Sequence, residues 1–397
     1  MISVIIPVYN SEKYINECIN SVLSQKGVEY EVVVVDDGSI DDSLKILEVY
    51  KNDGKIKLAA KENGGANSAR IEALRMSEGD ELFFLDADDY ILPNTLSAMS
   101  ETKKKYGADI VTCAMEKVFP NGKKSAIPMI PEGYYGGRDI ACNVLSLDEF
   151  YKCQIPIGLC GHLINRNLIE GYLYSLDRNI FFSEDRIIWM AFFKANKMYL
   201  MGDAFYQYRM NSDSVSHSHS KSIFNNEVML TEYLKKELER ENAPAIMKKE
   251  LVQFVIRDFL IAGYEEAFGW LDELYPFEGV KKGERVIVYG AGAFGQELVK
   301  HILKSNKYEL IAWVDSQYGY TKKVNNEEMK VQSPLVISDE DNNTLILVAV
   351  TLYRARMEIE TSLAARGIDK NRIKNIAVNK LNLKYINPQF NRILEDL

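Results

Sequence analysis

Three short apolar runs constrain this chain more than any other feature: residues 4–6, 32–35 and 82–85. A strand with one wet face alternates polar and apolar residues, whereas these runs are continuous. They read as strands buried on both faces of a largely parallel sheet. Between the first two, Tyr14, Ile15, Cys18, Ile19, Val22 and Leu23 recur at helical spacing, with Ser11 placed to cap the start. A second helix is expected after Asp41, through Leu44, Leu47 and Tyr50, and a third over about residues 67–76. Strand, helix, strand, helix, strand is the order of an α/β layered domain.

At 397 residues the chain exceeds one ordinary core, so two or three domains are expected. Hydrophobic residues at 47% and charged residues at 26% are the balance of a soluble globular protein. A net charge of -9 argues against a broad nucleic-acid-binding face. No apolar stretch approaches the roughly 20 residues that span a bilayer. Residues 1–7 lack a basic leader and a small-residue cleavage site, so they do not read as a signal peptide. The five cysteines, Cys18, Cys113, Cys142, Cys153 and Cys160, show no Cys-x-x-Cys spacing and fit reduced thiols. The expected location is the cytoplasm, and attachment to the inner face of a membrane through an amphipathic helix is compatible with it.

The pattern from about 108 to 220 is irregular, with aromatic loops and one clear helix over 186–195. Residues 222–275 read as helical almost throughout, broken at Asn242-Ala243-Pro244, and their apolar stripes suit either packing on the first domain or a homodimer interface. After a short linker at 279–283 a new α/β unit begins at Arg285. Strands are expected at 286–289, 310–314 and 345–350, with helices at 293–303 and 354–366, the last stopped by Gly367. The expected division is therefore 1–220, a helical linker region at 221–280, and 281–397.

Each N-terminal strand delivers polar residues at its carboxyl end: Tyr9-Asn10, then Asp36-Asp37-Gly38-Ser39, then Asp86-Ala87-Asp88-Asp89. In open parallel sheets the ligand crevice lies outside those ends, so the three groups should converge. Five carboxylates in one crevice repel unless cations or hydrogen-bond donors compensate, which points to a divalent metal and a donor-rich ligand. In Asp86-x-Asp88, alternate side chains leaving a strand can place one carboxylate on Mg²⁺ or Mn²⁺ and the other on a sugar hydroxyl. Asp36 and Asp37 can accept hydrogen bonds from a base or ribose. Asn63-Gly64-Gly65-Ala66-Asn67-Ser68-Ala69-Arg70 supplies a loop, a helix start and a cation, a set that suits a diphosphate. Singly, each motif is a common turn or loop. Their joint order at three consecutive strand ends points to function.

These residues resemble family 2 glycosyltransferases of the GT-A fold, closely over the first 100 or so residues and more loosely to about 220. The text that matches is residues 3–10, 35–39, 63–70 and 79–89. The resemblance implies an α/β chain with a GT-A (nucleotide-diphospho-sugar transferase) domain. It implies that Pro7, Tyr9, Asp36 and Asp37 line a nucleotide pocket, commonly for uridine. Asn10, Asn63, Ala66, Arg70 and Ala87 belong to the same donor-site motifs. Asp86 would face the ribose or donor sugar, and Asp88 would coordinate a metal that bridges the diphosphate. Such enzymes usually invert the anomeric centre, with a carboxylate deprotonating the acceptor hydroxyl and the metal stabilising the leaving group.

Phe182-Ser183-Glu184-Asp185-Arg186 matches the family's acidic pair ahead of a helix, which makes Asp185 the candidate base and Glu184 the reserve. A helix N-cap is the alternative for the same residues. Residues 208–219 resemble a loop that closes over the donor, with Arg209 on phosphate and His217 or His219 in the metal shell; solvated histidines are the alternative. His162 lies where related enzymes begin an acceptor-facing segment, or is a satisfied core histidine.

In the last unit, Gly290-Ala291-Gly292-Ala293-Phe294-Gly295 follows a strand and opens a helix, and Asp315 ends the next strand. This is the dinucleotide-binding arrangement, in which glycines let phosphates approach and the acid takes a ribose hydroxyl. It resembles the small Rossmann-like nucleotide-binding domains of sugar-modifying enzymes. No obvious catalytic acid–base set lies beyond it, so an occupied nucleotide pocket, an empty regulatory pocket and a docking module all stay open. Three functions follow. The leading one is a metal-dependent inverting glycosyltransferase that takes a nucleotide-sugar donor and a glycan, glycolipid or glycoprotein acceptor. The others are a bifunctional protein with an NAD(P)-binding or nucleotide-sugar-binding C-terminal domain, and a non-catalytic nucleotide-sugar-binding scaffold.

Overall fold

The computed structural model describes residues 1–127, 129–144, 155–180, 184–210, 221–262, 277, 279–324, 327–338, 341, 343–350 and 353–376. The chain divides into two compact units: Met1–Leu145, Lys152–Ser216 and Met229–Lys248 form one, and Ser146–Tyr151, His217–Val228 and Lys249–Leu397 the other.

The three apolar runs are the strands β1 (Ile2–Val8), β2 (Tyr30–Asp36) and, after β3 (Lys57–Ala60), β4 (Glu81–Phe84). They lie side by side in the order β3-β2-β1-β4, all parallel. The edge strand β3 buries only Leu58 and was not anticipated from the sequence. Its Lys57 sits in open contact with Glu31 and Glu78 at 2.8 and 2.7 Å, as edge positions allow. All seven side chains of β1 are buried, including Ser3, whose hydroxyl donates to Glu31 Oε1 and accepts from the Gly79 amide. A polar residue in the central strand is thus fully bonded.

The helices α1 (Ile15–Leu23), α2 (Ser43–Asn52) and α3 (Ala66–Met76) connect these strands. α1 buries Ile15, Cys18, Ile19 and Val22, the stripe its periodicity predicts. Ser11 does not cap it with its hydroxyl, which donates to the Tyr9 carbonyl at 3.1 Å. Its own carbonyl instead accepts from Tyr14 and Ile15, because the helix begins too far downstream for the side chain to reach.

After β5 (Tyr90–Ile91), the strand β6 (Ile110–Thr112) follows α4 (Thr95–Tyr106). Next come β7 (Met115–Val118), β8 (Lys124–Ala126), β9 (Gly133–Tyr135), β10 (His162–Asn165), β11 (Met198–Leu200) and β12 (Tyr206–Arg209). β10, β6, β11 and β9 extend the first sheet to eight strands, and β5-β12-β7-β8 form a second sheet. The helix α5 (Gly137–Ala141) precedes α6 (Glu170–Ser175) and α7 (Ile188–Lys194). α7 buries Trp189, whose indole N–H donates to the Ala141 carbonyl at 2.7 Å. The helices α8 (Lys221–Arg240) and α9 (Ala245–Ala262) break at Asn242, with φ 49°, ahead of Pro244. The helical reading of 263–275 lies outside the described residues.

In the second unit, β13 (Arg285–Tyr289), β14 (Glu309–Val314), β17 (Thr344–Val348) and β18 (Ile373–Asn375) form a parallel sheet in the order β14-β13-β17-β18. The hairpin β15 (Tyr320–Val324) with β16 (Glu327–Val331) stands apart as a two-stranded ribbon. Neither the hairpin nor β18 was anticipated. Along the hairpin only Val324 and Val331 are buried, too few to mark a strand by pattern. Ile287, Val314, Ile346 and Val348 pack with Leu363 of the helix Tyr353–Ala365, and the helix Ala293–Ser305 follows the glycine loop.

Candidate active site

Register aligns the carboxyl ends of β1, β2 and β4: Val8 faces Asp36, and Ile5 faces Phe84. Beyond them the loops are tied together. The Asp37 amide donates to the Val8 carbonyl at 2.7 Å. Asn10 adopts a left-handed φ of 49°, which Asn tolerates; its amide donates to Ser39 Oγ, and its Oδ1 accepts from the Ile40 amide. Pro7 is buried within β1, and the Tyr9 ring stays 49% exposed at the strand end.

The adjacent aspartates have different tasks. Asp37 is buried, and its carboxylate accepts from Lys61 Nζ at 2.6 Å, the Gly64 amide at 3.0 Å and the Gly65 amide at 2.7 Å. Asn63 adds a bond to the Asp37 carbonyl. Asp37, expected in base or ribose binding, thereby also organises the glycine loop that leads into α3. Gly38, at φ 76°, is required there, because a Cβ would meet the Asn63 nitrogen at 2.8 Å. Asp36 uses Oδ2 on the Ser39 amide, while its buried Oδ1 has no hydrogen-bond partner among the described residues.

Ala66 opens α3 on the loop that Asp37 holds, and two residues of this helix project polar groups into its buried face. Arg70 is buried and pairs with Asp86 through Nη2–Oδ1 at 3.1 Å. Arg70, the cation expected to face phosphate, is also the counter-ion of Asp86, whose side chain remains 39% exposed. Asn67 is 1% exposed, and neither atom of its amide has a partner among the described residues. A buried, unsatisfied amide costs about 1–3 kcal/mol, so it demands an explanation. Only Asn63, Ala66 and Arg70 were singled out from this stretch by sequence. The missed signal was a polar residue at helical spacing with Arg70, Ile71 and Leu74, on the face that α3 buries.

The Asp86–Asp89 segment turns back on itself, with the Asp89 amide donating to the Asp86 carbonyl at 3.0 Å. Ala87 is buried within it. Asp89 is 1% exposed and accepts from Tyr206 Oη and from the Arg209 amide, each at 2.7 Å. Burial pushes its carboxyl well above the usual range, and Asp88 and Asp86 push further the same way. The buried Cys18 thiol, bonded to the Asp86 carbonyl at 3.6 Å, is raised by burial and then by the same three acids. The three carboxylates share one electrostatic neighbourhood.

Arg209, expected on phosphate, is held on several sides. Its Nε donates to the Asp88 carbonyl at 2.8 Å and its Nη2 meets Glu17 Oε2 at 2.7 Å. The guanidinium also lies over the rings of Tyr14 and Tyr90, at 5.0 and 5.3 Å. Tyr14, Glu17, Tyr90 and Tyr206 had not been anticipated as parts of this site, since their roles depend on contacts between distant segments.

The residues present fit a hard divalent cation held jointly with a ligand. Among the described residues no group of three or more His, Cys, Asp or Glu could enclose a metal alone. Magnesium-like ions are typically bound by one or two carboxylates together with substrate phosphates. Asp88, half-buried beside Asp86, offers such a carboxylate, and the acid-induced rise at Asp89 marks a place where positive charge is favoured. His217 and His219 lie outside the described residues.

His162 is a core residue. It is fully buried, with Thr112 Oγ1 2.8 Å from Nδ1 and the Pro156 carbonyl 3.1 Å from Nε2. A carbonyl only accepts, so Nε2 carries the proton and Nδ1 accepts from threonine. Burial lowers its pKa to about 4. Glu184 and Asp185 begin the 3-10 turn Glu184–Ile187 that runs into α7; their side chains lie outside the described part.

In the second unit, Gly290 at φ 120° and Gly295 are sterically required: a Cβ on Gly295 would stand 2.0 Å from the Gly290 carbonyl oxygen. Gly292 faces open space. Asp315 Oδ2 accepts from the Ala291 amide at 2.6 Å, and Oδ1 from the Gln317 amide at 2.9 Å. Asp315, the acid expected to take a ribose hydroxyl, thus also braces the glycine loop.

Comparison with known proteins places this geometry. Residues 3–154 match the family model Glycosyl transferase family 2. The chain is 28% identical over 218 residues to "Uncharacterized glycosyltransferase EpsJ" of Bacillus subtilis, covering 54% of this chain and 63% of that protein. It is 33% identical over 217 residues to the poly(ribitol-phosphate) beta-N-acetylglucosaminyltransferase TarS of Staphylococcus aureus, covering 52% of this chain and 35% of that one. The chain thus spans between 35% and 63% of the length of these relatives. The crystal structure of S. aureus TarS 1-349 in complex with UDP-GlcNAc superposes with a TM-score of 0.52 at 26% identity, covering 66% of this chain and 73% of that one. The complex with UDP gives 0.50 at 27%, covering 65% and 71%. The N-terminal part of this chain is therefore a Glycosyl transferase family 2 domain with the GT-A fold.

Proposed function

We propose that this protein is an inverting glycosyltransferase that moves a sugar from a nucleotide-diphosphate donor, read as a UDP-sugar, to a hydroxyl of a cell-surface glycan, teichoic acid or glycoprotein glycan. The observation that carries the reading is the convergence of Asp36, the Asp37-held glycine loop, the Arg70–Asp86 pair and Asp88 at three aligned strand ends. The likeness to TarS, solved with UDP and with UDP-GlcNAc, supports the choice of donor.

In this reading Asp36 Oδ1 accepts a hydrogen bond from the base or ribose, and Asp86, steadied by Arg70, faces the donor sugar. Asp88 would hold Mn²⁺ or Mg²⁺, and the ion would stabilise the charge of the departing diphosphate. Asp185, with Glu184 in reserve, takes the proton of the acceptor hydroxyl as its oxygen bonds to the anomeric carbon. The carbon–phosphate-oxygen bond breaks and the nucleotide diphosphate leaves with the electron pair, which inverts the centre. A cytoplasmic location, where nucleotide sugars are made available, accords with this donor. Among the described residues no helix is long and apolar enough to cross a membrane.

The test is turnover of UDP-GlcNAc and UDP-glucose with and without Mn²⁺, in the wild type and in Asp88→Ala. Loss of about 100-fold or more in kcat is expected for the variant, the scale of a removed transition-state interaction. Full activity in Asp88→Ala, or turnover indifferent to chelator, would overturn the metal role.

A further inference from the structure

We infer that Glu17, on α1 and outside every motif of the donor site, is a positioning residue for Asp88 that acts through Arg209 and sets the affinity for the divalent cation. This inference rests on the glycosyltransferase reading above.

Arg209 ends β12, which pairs with β5 so that Gln207 faces Tyr90 and Tyr206 faces Ile91. The pairing brings the last residue of β12 alongside the Asp86–Asp89 turn. Three contacts then fix Arg209 to that turn and to α1: its amide on Asp89 Oδ1, its Nε on the Asp88 carbonyl, and its Nη2 on Glu17 Oε2. Nε and Nη2 share one edge of the planar guanidinium, so this edge spans the Asp88 backbone and the Glu17 carboxylate together. The Tyr14 and Tyr90 rings restrict rotation of that plane. Tyr14 adjoins α1, which carries Glu17, while Tyr90 directly follows Asp89.

Glu17 is 57% exposed, and an ion pair that open adds little to stability, at most about 1 kcal/mol. Its consequence is directional. The guanidinium lies beside three acids, and Glu17 selects one orientation, in which Nε points at the Asp88 carbonyl. The direction of that carbonyl sets the peptide plane from which the Asp88 side chain departs. Shells around a metal ligand that fix its orientation typically change metal affinity 10- to 100-fold when removed. Glu17 stands one step further out than such a partner, so a smaller change is expected.

The test is calorimetric binding of UDP to the full chain across a Mn²⁺ titration, together with binding of UDP alone, for the wild type, Glu17→Ala, Glu17→Gln and Arg209→Lys. Glu17→Ala is expected to raise the half-saturating Mn²⁺ concentration roughly 5-fold, with metal-free UDP affinity and thermal midpoint unchanged. Arg209→Lys, which keeps the charge and loses the shared edge, should do at least as much, and Glu17→Gln, which keeps an acceptor, should fall between. A Mn²⁺ titration of Glu17→Ala that superimposes on the wild type overturns the inference, as does an equal loss of metal-free UDP affinity. A wild type whose UDP binding ignores Mn²⁺ overturns the metal-dependent reading itself, and the inference with it.

Discussion

The two glycine loops of this protein are built with the same device and differ in what surrounds it. In each, a carboxylate following one strand accepts from backbone amides of a loop that opens a helix. Asp37 holds Gly64 and Gly65 ahead of α3, and Asp315 holds Ala291 ahead of the helix Ala293–Ser305. The resemblance ends there. Around the first loop, Asp36 Oδ1 and both amide atoms of Asn67 are buried without partners among the described residues, and burial, with Asp88 and Asp86 beside it, raises the carboxyl of Asp89. Around the second, Asp315 uses both oxygens on backbone amides. A braced glycine loop is therefore a way to start a helix after a strand. In the reading proposed above, the buried polar atoms without partners mark the first loop as the one that would serve the donor.

Removing each brace should separate the two. Asp37→Ala takes a buried acceptor from two amides and from Lys61, and is expected to cost about 3 kcal/mol in denaturant unfolding while weakening UDP binding. Asp315→Ala, at a half-exposed site, should cost about 1 kcal/mol and leave UDP binding alone. If Asp315→Ala weakened UDP binding as much as Asp37→Ala, the comparison would fail.

Burial by itself is not the distinguishing feature, and His162 can show it. This imidazole is as buried as Asn67 but fully bonded. Its folded pKa, about 4, lies below the ordinary 6.5, so the unfolded chain takes up the proton first. The neutral form thus contributes stability that is complete above pH 6.5 and is lost as pH falls from there towards 4. The loss amounts to about 3 kcal/mol by linkage. Denaturation midpoints of the wild type and His162→Gln across this window should diverge in slope, with the variant flatter, and UDP affinity at neutral pH should not change. Parallel slopes would mean the histidine does not govern this acid sensitivity.

An effect on binding rather than on folding is expected at Asn67. If its amide serves the donor, Asn67→Ala should lower UDP affinity about 10-fold and leave folding stability equal or slightly higher, because an unsatisfied buried group has been removed. A loss of stability with unchanged affinity would return Asn67 to a packing role and weaken the contrast between the loops.

Much of the first unit was readable in the chain. Continuous apolar runs announced β1, β2 and β4, and the helical stripes of α1 and α3 followed their periodicity. β3 and the hairpin of β15 and β16 were not readable, since edge and ribbon strands bury few side chains. In the site, the order of the aspartates was visible, but the groups within the chain that Asp37, Arg70 and Arg209 meet were not. A carboxylate or guanidinium has the same composition whether it faces a ligand or a backbone amide.

What the sequence determined by itself was therefore the class of fold and the alignment of three polar segments at neighbouring strand ends, because strand burial and helix amphipathicity are local patterns repeated every two or 3.6 residues. What only the tertiary structure decided was the partner of each charge. Asp86 meets Arg70 across 16 positions, Asp37 meets Gly65 across 28, and Arg209 meets Glu17 across 192. Hydrogen bonds act over about 3 Å, and which groups come within that range is settled by strand register and sheet order.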